Sequence, residues 1–214
     1  MFSRLKQMIS AAPSGTPQKR EKERRALYVP LLGEPEFVFR GDDEAGTVIE
    51  AYARDFAPDG TIEKGYVLLT NGMSDRRMTI PEEVLGTGVK PRTELMWYVR
   101  APTPEIIANL RWLAQFPFLD NRFLAFGHRI PMPTLPLSGC AFRTFLLLTP
   151  IIRTDQLVSR ALDSGRERVD ILTVNLISDA EYAFIQKEGV DRFLDVLDER
   201  GYPVIFDPRR RSYL

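Results

Sequence analysis

Two apolar-rich runs, Val48 to Phe56 and Lys64 to Leu69, sit on either side of Pro58-Asp59-Gly60. Proline presets one turn angle and glycine accepts positive φ, so the triplet reads as a turn between two strands. Strands this close in sequence pair antiparallel, because a parallel pair needs a crossover of a dozen or more residues. The hairpin therefore excludes an all-helical bundle and an all-parallel sheet. Its second arm, ending Tyr66-Val67-Leu68-Leu69, runs into Thr70-Asn71-Gly72-Met73-Ser74-Asp75-Arg76-Arg77-Met78. Asn-Gly suits a tight turn there.

The rest of the chain alternates strands and helices. Glu94 to Val99 predicts a strand. Thr103 can cap a following helix, Pro104 fits its first turn, and Ile106, Ile107, Leu110 and Leu113 form its apolar stripe. Phe123 to Ile130 and Arg143 to Thr149 are strand-like, and Pro131, Pro133 and Pro136 between them predict a loop without regular structure. A short helix is expected from Thr154 to near Gly165, then a strand from Val169 to Leu176. Ser178-Asp179-Ala180-Glu181 is a capping box. Two short helices follow, separated by Gly189 and stopped at Gly201, and Val204-Ile205-Phe206 is read as a last short strand. This order predicts an α+β fold: a single domain with a mixed, mostly antiparallel β-sheet packed against several short helices.

At the N-terminus, Phe2, Leu5, Met8 and Ile9 recur at helical spacing, and Ala11 to Thr16 breaks the pattern. Lys19 to Arg25 holds five basic and two acidic residues and reads as a solvated end. Residues 1–26 are thus expected to be an amphipathic, charged extension and 27–214 the domain. With 44% hydrophobic residues among 214, the chain can bury a core. Its 29 basic and 29 acidic residues give no summed positive field, so nucleic acid is not expected as a partner. The longest apolar run, Phe145 to Leu148 with Ile151-Ile152, is too short to span a membrane. Cys140 is the only cysteine, which fits a reducing cytoplasm.

Candidate chemistry is sparse. His128, the only histidine, is expected to be a packed core residue, and could form a nucleophile dyad with Cys140 across the intervening loop. One His and one Cys fall short of a zinc set, and Asp42-Asp43-Glu44 reads as a solvated loop, so no metal or cofactor is expected. Ser74 beside Asp75 resembles a hydrolytic pair, but both side chains are expected to bond nearby backbone and shape the turn. No phosphate loop, nucleophile elbow or dinucleotide fingerprint is present.

Thr70-Asn71-Gly72-Met73-Ser74-Asp75 after a strand resembles the T-x-G-M-S-D signature of the bacterial suppressor of fused (Sufu-like) domain family. Thr93-Glu94-Leu95-Met96, Phe126 to Pro131 (around Gly127-His128), Phe145 to Pro150, Val174 to Glu181 and Phe206 to Arg210 are similar to later family segments, in family order. The likeness spans about Val48 to Arg211. Asn175 departs from the family's usual proline, and Arg129 from its frequent threonine. The resemblance marks Gly72, Met73, Ser74, Asp75, Glu94, His128 and Glu181 as motif positions, structural or binding. It implies a non-enzymatic protein-binding domain. The animal namesake restrains a transcription factor, clamping a short peptide partly as an added strand. Bacterial members are proposed to be immunity proteins that neutralise a cognate polymorphic toxin by stoichiometric binding. The alternatives are a regulatory binder of a cellular protein, or a hydrolase using Cys140 with His128, or Ser74.

Overall fold

The structure, a computed structural model, describes residues 15–41, 46–57, 61–119, 121–163 and 168–214. The expected turn at Pro58-Asp59-Gly60, the amphipathic pattern from Phe2 to Ile9, the loop Asp42-Asp43-Glu44 and the helix end near Gly165 lie outside those residues. Among the described residues, seven strands form one sheet: β1 (Phe37–Phe39), β2 (Val48–Phe56), β3 (Glu63–Asn71), β4 (Arg92–Val99), β5 (Arg129–Pro131), β6 (Thr144–Leu148) and β7 (Val169–Ile177). Their order is β1-β2-β3-β4-β7-β6-β5. Only β4 and β7, at the centre, pair parallel; every other neighbour is antiparallel. The expected hairpin is β2–β3, in register from Val48↔Asn71 to Phe56↔Glu63. Every residue of β4 is buried, as a central strand covered on both faces requires.

Among the described residues, five helices cover the sheet: α1 (Pro17–Leu32), α2 (Pro104–Leu119), α3 (Arg153–Asp163), α4 (Asp179–Glu188) and α5 (Val190–Arg200). Odd-numbered β4 side chains, Leu95, Trp97 and Val99, pack with Leu110 and Leu113 of α2. Even-numbered ones, Met96 and Tyr98, pack with Tyr28 of α1 and Val158 of α3. On that second face, α4 and α5 bring Ile185, Phe193 and Leu197 onto Leu146, Leu148 and Ile177. The sheet thus lies between α2 on one side and four helices on the other.

Three expectations change. The charged stretch Lys19–Arg25 is the first half of α1, whose start is capped by Thr16 and whose first residue is Pro17. It docks against the sheet and is not a solvated end; the helix runs unbroken through residue 26. Of Phe123–Ile130 only the end is strand, because Asn121 at φ 50° and Gly127 at φ 77° keep the backbone turning. Pro131 closes β5, the outermost strand, where a missing N–H is tolerated. Val204-Ile205-Phe206 makes one isolated bridge, Phe206 to Val99, instead of a strand.

Candidate functional site

The motif at the end of β3 is a densely bonded, buried polar point. Gly72 turns the chain at φ 126°, and a Cβ there would meet the Gly46 carbonyl at 3.3 Å, so glycine is required. The turn then divides its side chains between the two faces. Met73 drops into the core beneath α2. Ser74 Oγ donates to Glu94 Oε1 at 2.6 Å, and the Ser74 and Gly72 backbone N–H groups donate to the same oxygen at 3.1 Å. Thr70 Oγ1 donates to Glu94 Oε2 at 2.6 Å. Burial pushes the Glu94 carboxyl above its ordinary value, while Arg24 and these donors pull it back.

Helix α1 supplies the cations. Arg24 Nε donates to Asn71 Oδ1 at 2.7 Å and lies 3.7 Å from Glu94 Oε1, and its Nη1 reaches Asp75 Oδ1 at 2.5 Å. Arg20 Nε lies 3.0 Å from Asp75 Oδ2. One turn on, Arg25 binds fully buried Glu50 at 2.5 Å, and Tyr52 donates its hydroxyl proton to Glu50. Glu21 accepts from Arg25 and from Arg40. Ser74 and Asp75 therefore bond across the fold to Glu94 and α1, where local backbone bonds were expected. Ser74 is buried and committed to Glu94, which removes it as an exposed nucleophile.

Glu181 anchors a second polar point. It caps α4 through the expected reciprocal bonds with Ser178. It also accepts two bonds from Arg210, at 2.7 and 2.8 Å, and one from Tyr213 N–H at 2.9 Å. Arg210 is stacked between Phe142 and Tyr213, with its guanidinium carbon 4.2 and 4.5 Å from the ring centres. Burial would raise the Glu181 carboxyl, but Arg210 and the two backbone N–H groups hold it below its ordinary value. The sequence showed the cap but not the arginine, 29 residues away.

His128 lies elsewhere. It is half-buried, edge-on to Phe123 with ring centres 4.7 Å apart, and burial lowers its pKa from the ordinary 6.5. The Cys140 thiol points to the Phe142 carbonyl at 4.0 Å, and burial pushes its pKa up, opposite to what a nucleophile needs. Among the described residues, no contact joins it to His128.

His128 instead helps to line a cavity of about 700 Å³ against β5. Trp112 and Phe116 of α2, one helical turn apart, form one wall with Phe123 and Leu124; residues 128–133 form the other. Among the described residues, the charged ones that line it are Arg122 and Arg129. Leu147 N–H donates to His128 O and Met132 N–H to Arg143 O, in step with the pairing of Ile130 with Phe145. In an antiparallel ladder the intervening residues face away, so the N–H of Arg129 and the carbonyls of Arg129 and Pro131 lie on the outer edge. The three loop prolines were the only sequence sign of this place, since a cavity is made by elements distant in sequence.

The family model of Suppressor of fused protein (SUFU) matches residues 48–211. No curated protein matches the chain. Among solved structures, a SUFU homologue from Neisseria gonorrhoeae superposes with a TM-score of 0.66 at 16% identity. The match covers 92% of this chain and 98% of that one. Drosophila Suppressor of Fused also gives 0.66 at 16% identity, and this chain, matched over 92% of its length, spans only 51% of that protein. A chain of the Sufu–Fu complex gives 0.61 at 14% identity, with 89% of each chain covered.

Proposed function

This chain belongs to the suppressor of fused family, and from that premise we propose that it is a non-enzymatic domain that binds another protein through the free edge of β5. The observation that carries the reading is the pairing of an open sheet edge with an apolar cavity. Strand addition uses such a pair: main-chain bonds give affinity, and adjoining pockets select side chains. The candidate nucleophiles point the same way. Ser74 is spent on Glu94, and Cys140 is buried with a raised pKa. A structural neighbour solved as the Sufu–Fu complex supports a protein partner here as well.

The partner in this proposal is a cognate polymorphic toxin, neutralised stoichiometrically in a complex burying roughly 1,200–2,000 Å². Co-expression of this chain with a toxin domain encoded beside it is expected to restore growth and to yield a one-to-one complex. Growth arrest in the presence of abundant, folded protein would sink the toxin reading. A stable complex with a housekeeping protein in its place would make the domain a cellular regulator. Turnover of a substrate, abolished by Cys140→Ala, would overturn both.

A further inference from the structure

We infer that residues 75–81 tie the wall of the cavity to the charged half of α1, with Arg76 and Met78 as positioning residues of the binding site. The inference rests on the edge-binding reading above and adds what holds that site in shape.

The stretch begins under one helix and ends in the cavity. Asp75 is gripped by two arginines of α1, Arg20 at 3.0 Å and Arg24 at 2.5 Å. Pro81, at the other end, lines the cavity. Two contacts between these ends reach the same wall. The Arg76 guanidinium carbon lies 3.8 Å from the centre of the Phe118 ring, a stacking distance. Phe118 closely follows Phe116, which lines the cavity, in the last turns of α2. Met78 Sδ accepts the backbone N–H of Leu124, another lining residue, at 3.3 Å. Met78 is itself fixed, its side chain buried and its N–H donating to Pro91 O at 2.8 Å. Helices α1 and α2 stand on opposite faces of the sheet, so this stretch joins the two faces around the end of β3.

The wall needs such anchoring. It forms where α2 ends and the chain turns, with Asn121 at φ 50°. Backbone in that conformation is held by what surrounds it, not by a helix or a ladder. The Trp112 and Phe116 ring centres are 5.2 Å apart, so a movement of Phe116 is felt at Trp112. A looser grip on Asp75 therefore has a short covalent route to the cavity, through Arg76 and Met78 to the aromatic wall.

The test incorporates fluorotryptophan into the full chain and follows it by fluorine NMR, with Trp112→Phe assigning the signals. Trp97 lies in the core and Trp112 in the cavity wall, so one spectrum reports on both places. Arg76→Gln removes the stacked cation and should shift the Trp112 resonance while Trp97 stays in place. Arg76 is exposed, so that variant should keep its fold, and the unmoved Trp97 signal checks it. Met78→Leu keeps the volume but loses the sulfur acceptor, and should shift Trp112 as well. Asp75→Asn changes only the α1 end, outside the cavity lining, and should move Trp112 in the same direction as Arg76→Gln. Arg54→Met breaks a different buried pair, with Asp155, and should leave Trp112 where it is. A Trp112 signal unmoved by Arg76→Gln or by Asp75→Asn would overturn the inference, as would an equal shift from Arg54→Met. The protein-binding function would then still stand on its own test. Loss of partner binding to the unaltered chain is the distinct result that would remove the function and leave the tie between α1 and the cavity in place.

Discussion

Two patches on opposite faces of the sheet, one under α2 and one under the first half of α1, are buried by opposite means. Under α2, the contact is made by Leu95, Trp97, Phe145, Leu147, Leu110 and Leu113. The first half of α1 buries no apolar side chain: residues 17–25 read Pro-Gln-Lys-Arg-Glu-Lys-Glu-Arg-Arg, with Pro17 exposed, and they meet Glu50, Asn71, Asp75 and Glu94. Apolar burial is non-directional and scales with area, about 25 cal/mol per Å². Charge-assisted hydrogen bonds are directional, so they fix the rotation and register of α1. The apolar patch supplies driving force, and the polar patch supplies a single pose. From Tyr28 onward α1 joins an apolar cluster, with Leu31 and Leu32 packed against it.

The sharpest way to break this contrast is Arg24→Met. It leaves Glu94 buried without its cation and takes one of the two arginines from Asp75. Removing one partner of a buried pair typically loses about 3–5 kcal/mol, far more than the pair contributes in net terms. Urea denaturation should show that loss; a change under about 1 kcal/mol would mean that Tyr28 and its neighbours hold α1 unaided.

On the opposite face, Leu110→Ala is expected to lose about 2–5 kcal/mol by removing buried methyl groups and leaving a void. Its loss should be the same at neutral and acid pH, whereas the Arg24→Met loss should shrink as acid neutralises the carboxylates that Arg24 faces. Equal pH response in the two variants would erase the distinction.

A smaller effect separates the faces by pH. Glu21 and Glu181 sit below their ordinary value of 4.5, Glu21 through Arg40 first and Arg25 next, Glu181 through Arg210 against burial. A lowered folded-state pKa contributes stability above the unfolded value, and that contribution is lost as pH falls through the folded one. Glu94, raised by burial, works in the other direction, so the two must be separated by a variant. The stability gap between the parent and Glu181→Gln should close as pH falls through the ordinary 4.5 and below it, while the gap for Leu110→Ala stays open. A Glu181→Gln gap that persists at the acid end would show that Glu181 acts by shape and not by charge.

The sequence made strands and caps legible because these are local. Val48–Phe56 and Lys64–Leu69 declare a hairpin through their turn, and Ser178 with Glu181 declare a cap through spacing. What it hid was pairing at a distance. Nothing near Arg24 announces Asp75, and an amphipathic signal is missing from α1 because the buried side of its first half is charged. Of the run of charges that reads as a wet terminus, Arg20, Glu21, Arg24 and Arg25 are, folded, part of an inward-facing network, while Lys19, Lys22 and Glu23 stay exposed. Likewise His128 reads as core because it stands among aromatics, yet those aromatics form an open wall. Composition cannot tell a filled space from an empty one.

The dependence of α1 on the Gly72–Asp75 turn also orders events in time. As the chain is synthesised, residues 17–25 are made 51 positions ahead of the carboxylate that Arg24 grips, and Glu94 comes later still. With no apolar side chain, that half-helix cannot collapse early onto a partly made core, and short isolated helices are marginal in water. Its docking is therefore expected to follow the pairing of β3 and β4 and the closing of the turn between them. Folding should show a protection phase for the amides of the first half of α1 trailing that of the central strands, the kinetic mark of a segment made before the strands it docks on and admitted after them.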